Sequence, residues 1–145
     1  MIGKYIIFLA LCFQAIATIK HFLPTSTVVR IAAMAARDEG YNPDAQGVFL
    51  DELRTDGKEP IAGFTSIGLY KGGHLIRYYS IRVETGDIVD PMACKVFRYP
   101  DLAKFKREIL KQFGTKEVSL EVIASEVGCE KLEVVPTQRS AGSSK

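Results

Sequence analysis

Phe64-Thr65-Ser66-Ile67-Gly68-Leu69-Tyr70-Lys71, then Gly72-Gly73, then His74-Leu75-Ile76-Arg77-Tyr78-Tyr79-Ser80-Ile81-Arg82-Val83-Glu84 is the stretch that sets the architecture. Two runs rich in β-branched and aromatic residues flank a pair of glycines, and glycine tolerates the positive φ angles that two-residue hairpin turns require. Thr85-Gly86 supplies a second tight turn into Asp87 to Phe97, which predicts a three-stranded antiparallel meander. Pro91 has no N–H to donate, so the third strand is expected at an edge or bulged there.

Upstream, Pro24-Thr25-Ser26-Thr27 offers capping oxygens, and Val28, Ile31, Ala32 and Ala35 recur at helical spacing. The small alanines let that face approach a sheet closely, and Gly40 with Asn42-Pro43 ends the helix. Val48 to Arg54 has the composition of a short strand, and Thr55 to Gly63 reads as the longest internal loop and the segment expected to be mobile. Downstream, Tyr99-Pro100-Asp101 opens a second amphipathic helix whose apolar face carries Leu102, Phe105, Ile109, Leu110 and Phe113, with Gly114 as its stop. Residues 115–133 fit either period, since Val118, Leu120 and Val122 alternate while Leu120, Ile123 and Val127 share a helical face. A short helix capped by Gly128, followed by a strand-like Leu132 to Val135, is the preferred reading. The fold class is therefore α+β: a helix packed on an antiparallel β-meander, with a second amphipathic helix and a C-terminal segment.

The whole chain has 145 residues, 47% of them apolar, which suits a single domain of ordinary globular composition. Lys4 before the uncharged run Tyr5 to Phe13, and Ala15-Ile16-Ala17 after it, form a signal-peptide pattern over residues 1–17. The run is too short for the ~20 residues that span a bilayer. Residues 18–136 then make the single domain, residues 137–145 a polar disordered tail, and the destination is exported, periplasmic or secreted. Membrane contact is expected only through an uncleaved leader. Cleavage removes Cys12 and leaves Cys94 and Cys129, which in an oxidising compartment are candidates for one disulfide worth about 3 kcal/mol, or else two separate buried thiols.

If both turns hold two residues, one sheet face gathers Phe64, Tyr70, Leu75, Tyr79, Ile81, Val83, Ile88, Met92, Cys94 and Val96, with Arg77 between Gly68 and Cys94 and Asp90 two rungs away. Arginine keeps its charge, so it must be paired or face a wet pocket. Arg77, Tyr79 and Asp90 are accordingly the ligand-binding candidates, and pairing of Arg77 with Asp90, with Asp51 or Glu52, or with solvent is the plainer alternative. A bulge would shift the third strand and change this membership. The opposite face holds Ile67, Leu69, Ile76, Tyr78, Val89 and Phe97, interrupted by Arg82 and Lys95. It calls for cover by the chain itself, by a second copy in a homodimer, or by a partner.

Nineteen Lys and Arg against seventeen Asp and Glu leave too little excess for phosphate neutralisation, so nucleic acid is not an expected partner. Asp87, Asp90 and Cys94 lack a histidine and read as solvated turn groups, so no metal or cofactor is implied. Lys104, Lys106, Arg107 and Lys111 read as the solvated side of the second helix, or as a surface for acidic partners. No nucleophile, carboxylate pair or phosphate-cradling loop appears in supporting context, and no catalytic residue is assigned.

The helix followed by a meander, with Ser80-Ile81-Arg82-Val83-Glu84-Thr85-Gly86-Asp87-Ile88-Val89-Asp90 at its second turn, resembles a PepSY domain over roughly Val28 to Val96. The stretch from Asp90 to Leu102, with Val127-Gly128-Cys129, is similar to small uncharacterised exported bacterial proteins. The PepSY resemblance implies a non-catalytic binding or inhibitory module and carries over no site residues. Three functions are weighed in order: such a module engaging a protein partner, a carrier of a small anionic or amphipathic ligand using Arg77 in an apolar pocket, and an enzyme of unrecognised type.

Overall fold

The computed structural model describes residues 22–53 and 61–136. The expected leader of residues 1–17, most of the expected loop from Thr55 to Gly63, and the expected tail of residues 137–145 lie outside the described residues.

The chain runs α1 (Thr25–Asp38), β1 (Val48–Glu52), β2 (Phe64–Lys71), β3 (His74–Arg82), β4 (Ile88–Asp90), β5 (Lys95–Arg98), α2 (Pro100–Phe113), α3 (Leu120–Val127) and β6 (Glu133–Pro136). The strands form one six-stranded sheet in sequence order. All neighbours are antiparallel except β5 and β6, which are parallel because α2 and α3 intervene and return the chain in the same direction. This is the expected α+β fold, with the C-terminal segment promoted to a sheet edge.

The Gly72-Gly73 turn closes β2 and β3 as expected, with Lys71 opposite His74. A bulge opposite Leu69 and Tyr70 then moves the register by one residue, so Arg77 lies across from Leu69 and not Gly68. Packing explains the preference. The shifted register puts Ile67, Leu69, Tyr79 and Ile81 on one face, with Ile88 and Phe97 joining them across the following strands. The expected face therefore divides: Tyr79, Ile81 and Ile88 go one way, while Phe64 and Val96 go the other.

The predicted third strand is itself a hairpin. Pro91 interrupts it, and Asp90 Oδ1 accepts the N–H groups of Met92 and Ala93, both at 3.0 Å, closing a turn into β5. The second turn is also wider than two residues, since Arg82 N–H donates to Asp87 O and Gly86 N–H to Arg82 O. Gly86 has φ +76°, and a Cβ there would sit 2.8 Å from Ile31 Cδ1, so both backbone and packing require glycine.

Helices α1 and α2 cover one sheet face. Val28, Ile31, Ala32 and Ala35 pack with Leu102 and Ile109 on the Ile67, Leu69 and Ile81 side. Gly114, at φ 66°, ends α2 where expected. The ambiguous segment is a helix: Ser119 caps α3 by accepting Val122 N–H, and Gly128 closes it at φ 75°. Helix α3 covers the second face, with Ile123, Ala124 and Leu132 over Phe64, Val89 and Val96. The Cys94–Cys129 disulfide, with Cα atoms 5.9 Å apart, ties the end of α3 to the β4–β5 turn. No described helix is long and apolar enough to cross a membrane.

Candidate functional site

Three features stand out among the described residues: the surroundings of Arg77, a buried charge network at the β3–β4 turn, and an end of the sheet that no described helix covers.

Arg77 has an internal anion. Glu39, the residue following α1, accepts from Arg77 Nε at 3.1 Å and Nη2 at 3.0 Å, from Tyr79 Oη at 2.8 Å and from Tyr99 Oη at 2.6 Å. The guanidinium also lies 4.9 Å from the Tyr79 ring centre and 5.7 Å from that of Phe97. A carboxylate at a helix C-terminus opposes the helix dipole. Burial alone would raise the Glu39 carboxyl, but the hydrogen bonds from Arg77, Tyr99 and Tyr79 and the Arg77 charge together hold it below its ordinary value. Both tyrosine hydroxyls are pushed up, first by burial and then by Glu39, so they stay protonated donors. The hydrogen bonds that Arg77 donates to Glu39 raise the guanidinium further above its ordinary value.

The structure thus brings Arg77 and Tyr79 together, with Glu39 and Tyr99 as the groups that the sequence reading missed. Asp90 shares a small cleft with Arg77 but is occupied as the β4–β5 turn acceptor. That cleft has a volume of about 20 Å³, room for little more than one water. Glu39 was invisible from sequence because it lies 38 residues from Arg77, just past a helix end.

The second network corrects two expectations. Asp87 is buried, not a solvated turn carboxylate, and Lys106 is buried, not part of the solvated side of α2. Lys106 Nζ donates to Asp87 Oδ1 at 2.5 Å, Arg98 Nη1 to the same oxygen at 3.1 Å, and Thr85 Oγ1 to Asp87 Oδ2 at 2.5 Å. Arg82 donates from Nη1 to Thr85 at 3.2 Å, and from Nε and Nη2 to Glu126 at 2.7 and 2.8 Å. The hydrogen bonds that Arg82 donates to Glu126 outrank burial and hold Arg82 above its ordinary pKa. A polar chain from Glu126 on α3, through Arg82, Thr85 and Asp87, to Lys106 on α2 therefore joins the layers on opposite sheet faces. Low dielectric strengthens each link and makes each costly to break.

The third feature is apolar. Among the described residues, α3 packs over Phe64, Val89 and Val96 and leaves the β1 side of its face open. On the remaining end, Phe49 and Tyr70 stack at 5.0 Å with an interplanar angle of 9°, and Leu75 pairs with Tyr70 across β2 and β3. Phe49 is 47% exposed, Leu75 44% and Tyr78 42%. Gly68 forms the floor of this strip: a Cβ there would meet Tyr70 Cε2 at 2.8 Å and Leu75 Cδ1 at 2.9 Å.

No known family's sequence profile matches the chain, and no curated protein matches it. Among solved structures, the fold is similar to a chain described as "Structure of a type VI secretion system effector-immunity complex from Pseudomonas protegens". The TM-score is 0.60 with 22% identity, covering 79% of this chain and 97% of that one. At this identity the likeness is one of fold.

Proposed function

We propose that this chain is an exported, non-catalytic protein-binding module that holds its partner against the uncovered β1–β3 end of its sheet. The observation that carries this reading is the strip of Phe49, Tyr70, Leu75 and Tyr78 laid over Gly68. Aromatic side chains lose little conformational freedom on burial and supply much of the energy of protein interfaces. The similar fold described in an effector-immunity complex supports a two-protein assembly, and this chain is read as the binding, inhibitory member of such a pair. Arg82, Asp87 and Lys106 are all engaged in internal ion pairs, which suits a structural role for the buried charges. The Cys94–Cys129 disulfide suits an oxidising compartment.

The test is crosslinking and affinity capture from the exported fraction of cells expressing the full chain, with Phe49→Ser/Leu75→Ser alongside. Removing two central apolar contacts is expected to weaken capture of a stoichiometric partner by at least about thirtyfold, the scale of one interface hot spot. Both residues are well exposed, so the urea midpoint should stay within the spread of surface variants. Equal capture by both proteins, or no stoichiometric partner for the wild type, refutes the reading.

A further inference from the structure

A cavity of about 340 Å³ lies between α2 and the β4–β5 end of the sheet, lined also by Gly86 and Asp87 of the β3–β4 turn. Its apolar wall includes Phe97 and Leu102, and its polar side sets Arg98, Lys106 and Arg107 against Asp87 and Glu117. The two carboxylates are held very differently. Asp87 is buried and takes three hydrogen bonds, from Lys106, Arg98 and Thr85. Glu117 is 65% exposed, and its Oε1 stands 3.5 Å from Lys106 Nζ, a loose ion pair at the rim. An ammonium has three donors. Asp87 takes one and Glu117 weakly engages a second. Arg107 adds an exposed cation on the same rim.

We infer that this cavity binds a small carboxylate with an apolar body. Its charged head replaces Glu117 beside Lys106 and Arg107, and its body lies along Phe97 and Leu102. The rim already holds one carboxylate against Lys106, so the charge and reach suit that group. Glu117 is exposed enough to leave at small cost. The volume lies at the lower end of the range for small-molecule sites and admits about ten water-sized groups. Two sources share this chemistry: a free short-chain acid, and the terminal carboxylate of a peptide. The inference stands apart from the partner surface, which involves other strands and the other face.

The test is an NMR titration of protein recovered from cells expressing the full chain. The probes are hexanoate, 3-phenylpropionate, and a leucine-ended tetrapeptide as free acid and as C-terminal amide. At least one free acid should give saturable shifts around residues 97–107. Glu117→Gln removes the resident competitor and should tighten that binding about two- to fivefold, while Arg107→Ala should weaken it by a similar factor. Both substituted side chains are exposed, so neither variant threatens the fold. Saturation by hexanoate or phenylpropionate identifies free acids as the source, and saturation by the tetrapeptide acid alone identifies chain ends. The inference is overturned if no free acid saturates at millimolar concentration, if the amide binds as tightly as its acid, or if either variant leaves the affinity unmoved.

Discussion

Replacing Glu39 with Gln keeps the shape of the side chain and removes its charge, leaving Arg77, Tyr79 and Tyr99 facing a neutral amide. The side chains of Arg77 and Glu39 are 30% and 17% exposed, so the pair sits between two measured regimes. Exposed pairs contribute up to about 1 kcal/mol, and breaking a fully buried pair costs about 3–5. Solvent at Arg77 discounts the upper figure, and the amide oxygen still accepts one or two of the donors, so we expect a loss of about 2 kcal/mol at pH 7. With a urea slope near 2 kcal/mol per molar for a domain of this size, the midpoint falls by about 1 M. The sign of the pH dependence follows from the lowered Glu39 carboxyl. A carboxyl depressed in the folded state contributes stability in full above its unfolded value, near 4.5, and loses it as pH falls through the lower folded value. The gap between wild type and E39Q should therefore be constant near neutrality and close on acidification below that value. Urea unfolding of both proteins at a series of pH values measures it. A midpoint difference at neutral pH within the scatter of surface variants, or a gap that persists undiminished in acid, refutes the assignment of Glu39 as the anion that Arg77 serves.

Lys106→Ala leaves the Asp87 carboxylate buried with Arg98 and Thr85 as its remaining partners, and should cost about 2–3 kcal/mol in urea unfolding. Gly86→Ala adds a side chain at positive φ against Ile31 and should cost about 2 kcal/mol, read as a lowered thermal midpoint. Reducing Cys94–Cys129 should lower stability by about 3 kcal/mol, seen when unfolding is repeated with and without reductant. Gly68→Ala displaces only the exposed ends of Tyr70 and Leu75, so partner capture should fall while the urea midpoint holds.

What the sequence made legible was local. Gly72-Gly73 located the central turn, Pro100 and Gly114 bounded α2, and Gly40 followed the end of α1. Pattern alone could not place the bulge, because Ile76 and its neighbours are apolar enough to serve in either register. Only the demand that Tyr79 and Ile81 share a face with Ile67 and Leu69 selects one, and that is a property of the assembled core. Lys106 illustrates the same limit. At about 100° per residue it falls between Leu102 and Leu110 on the apolar stripe, so its burial was legible, but the carboxylate 19 residues earlier that receives it was not. Charges paired over such distances leave no mark at short spacing, so of the two networks the sequence assigns only Arg77 and Tyr79 as site residues, while Asp87 and Lys106 are weighed there and read as solvated.

The two networks also account for which part of the sheet is left uncovered. Glu39 joins the end of α1 to Arg77 and Tyr79 on β3 and to Tyr99 at the start of α2, which holds both helices over one face. Arg82 and Glu126 draw α3 to the other face at the end of β3, and the disulfide holds its C-terminus beside β4 and β5. An eight-residue helix is about 12 Å long, roughly the span of two or three strands, so once α3 is fastened there it cannot also reach β1. The strip over Gly68 is thus left open by the same contacts that fasten α3. Its side chains stand on strands β1, β2 and β3 already paired with one another, so a partner orders side chains and not backbone, which lowers the conformational cost of binding.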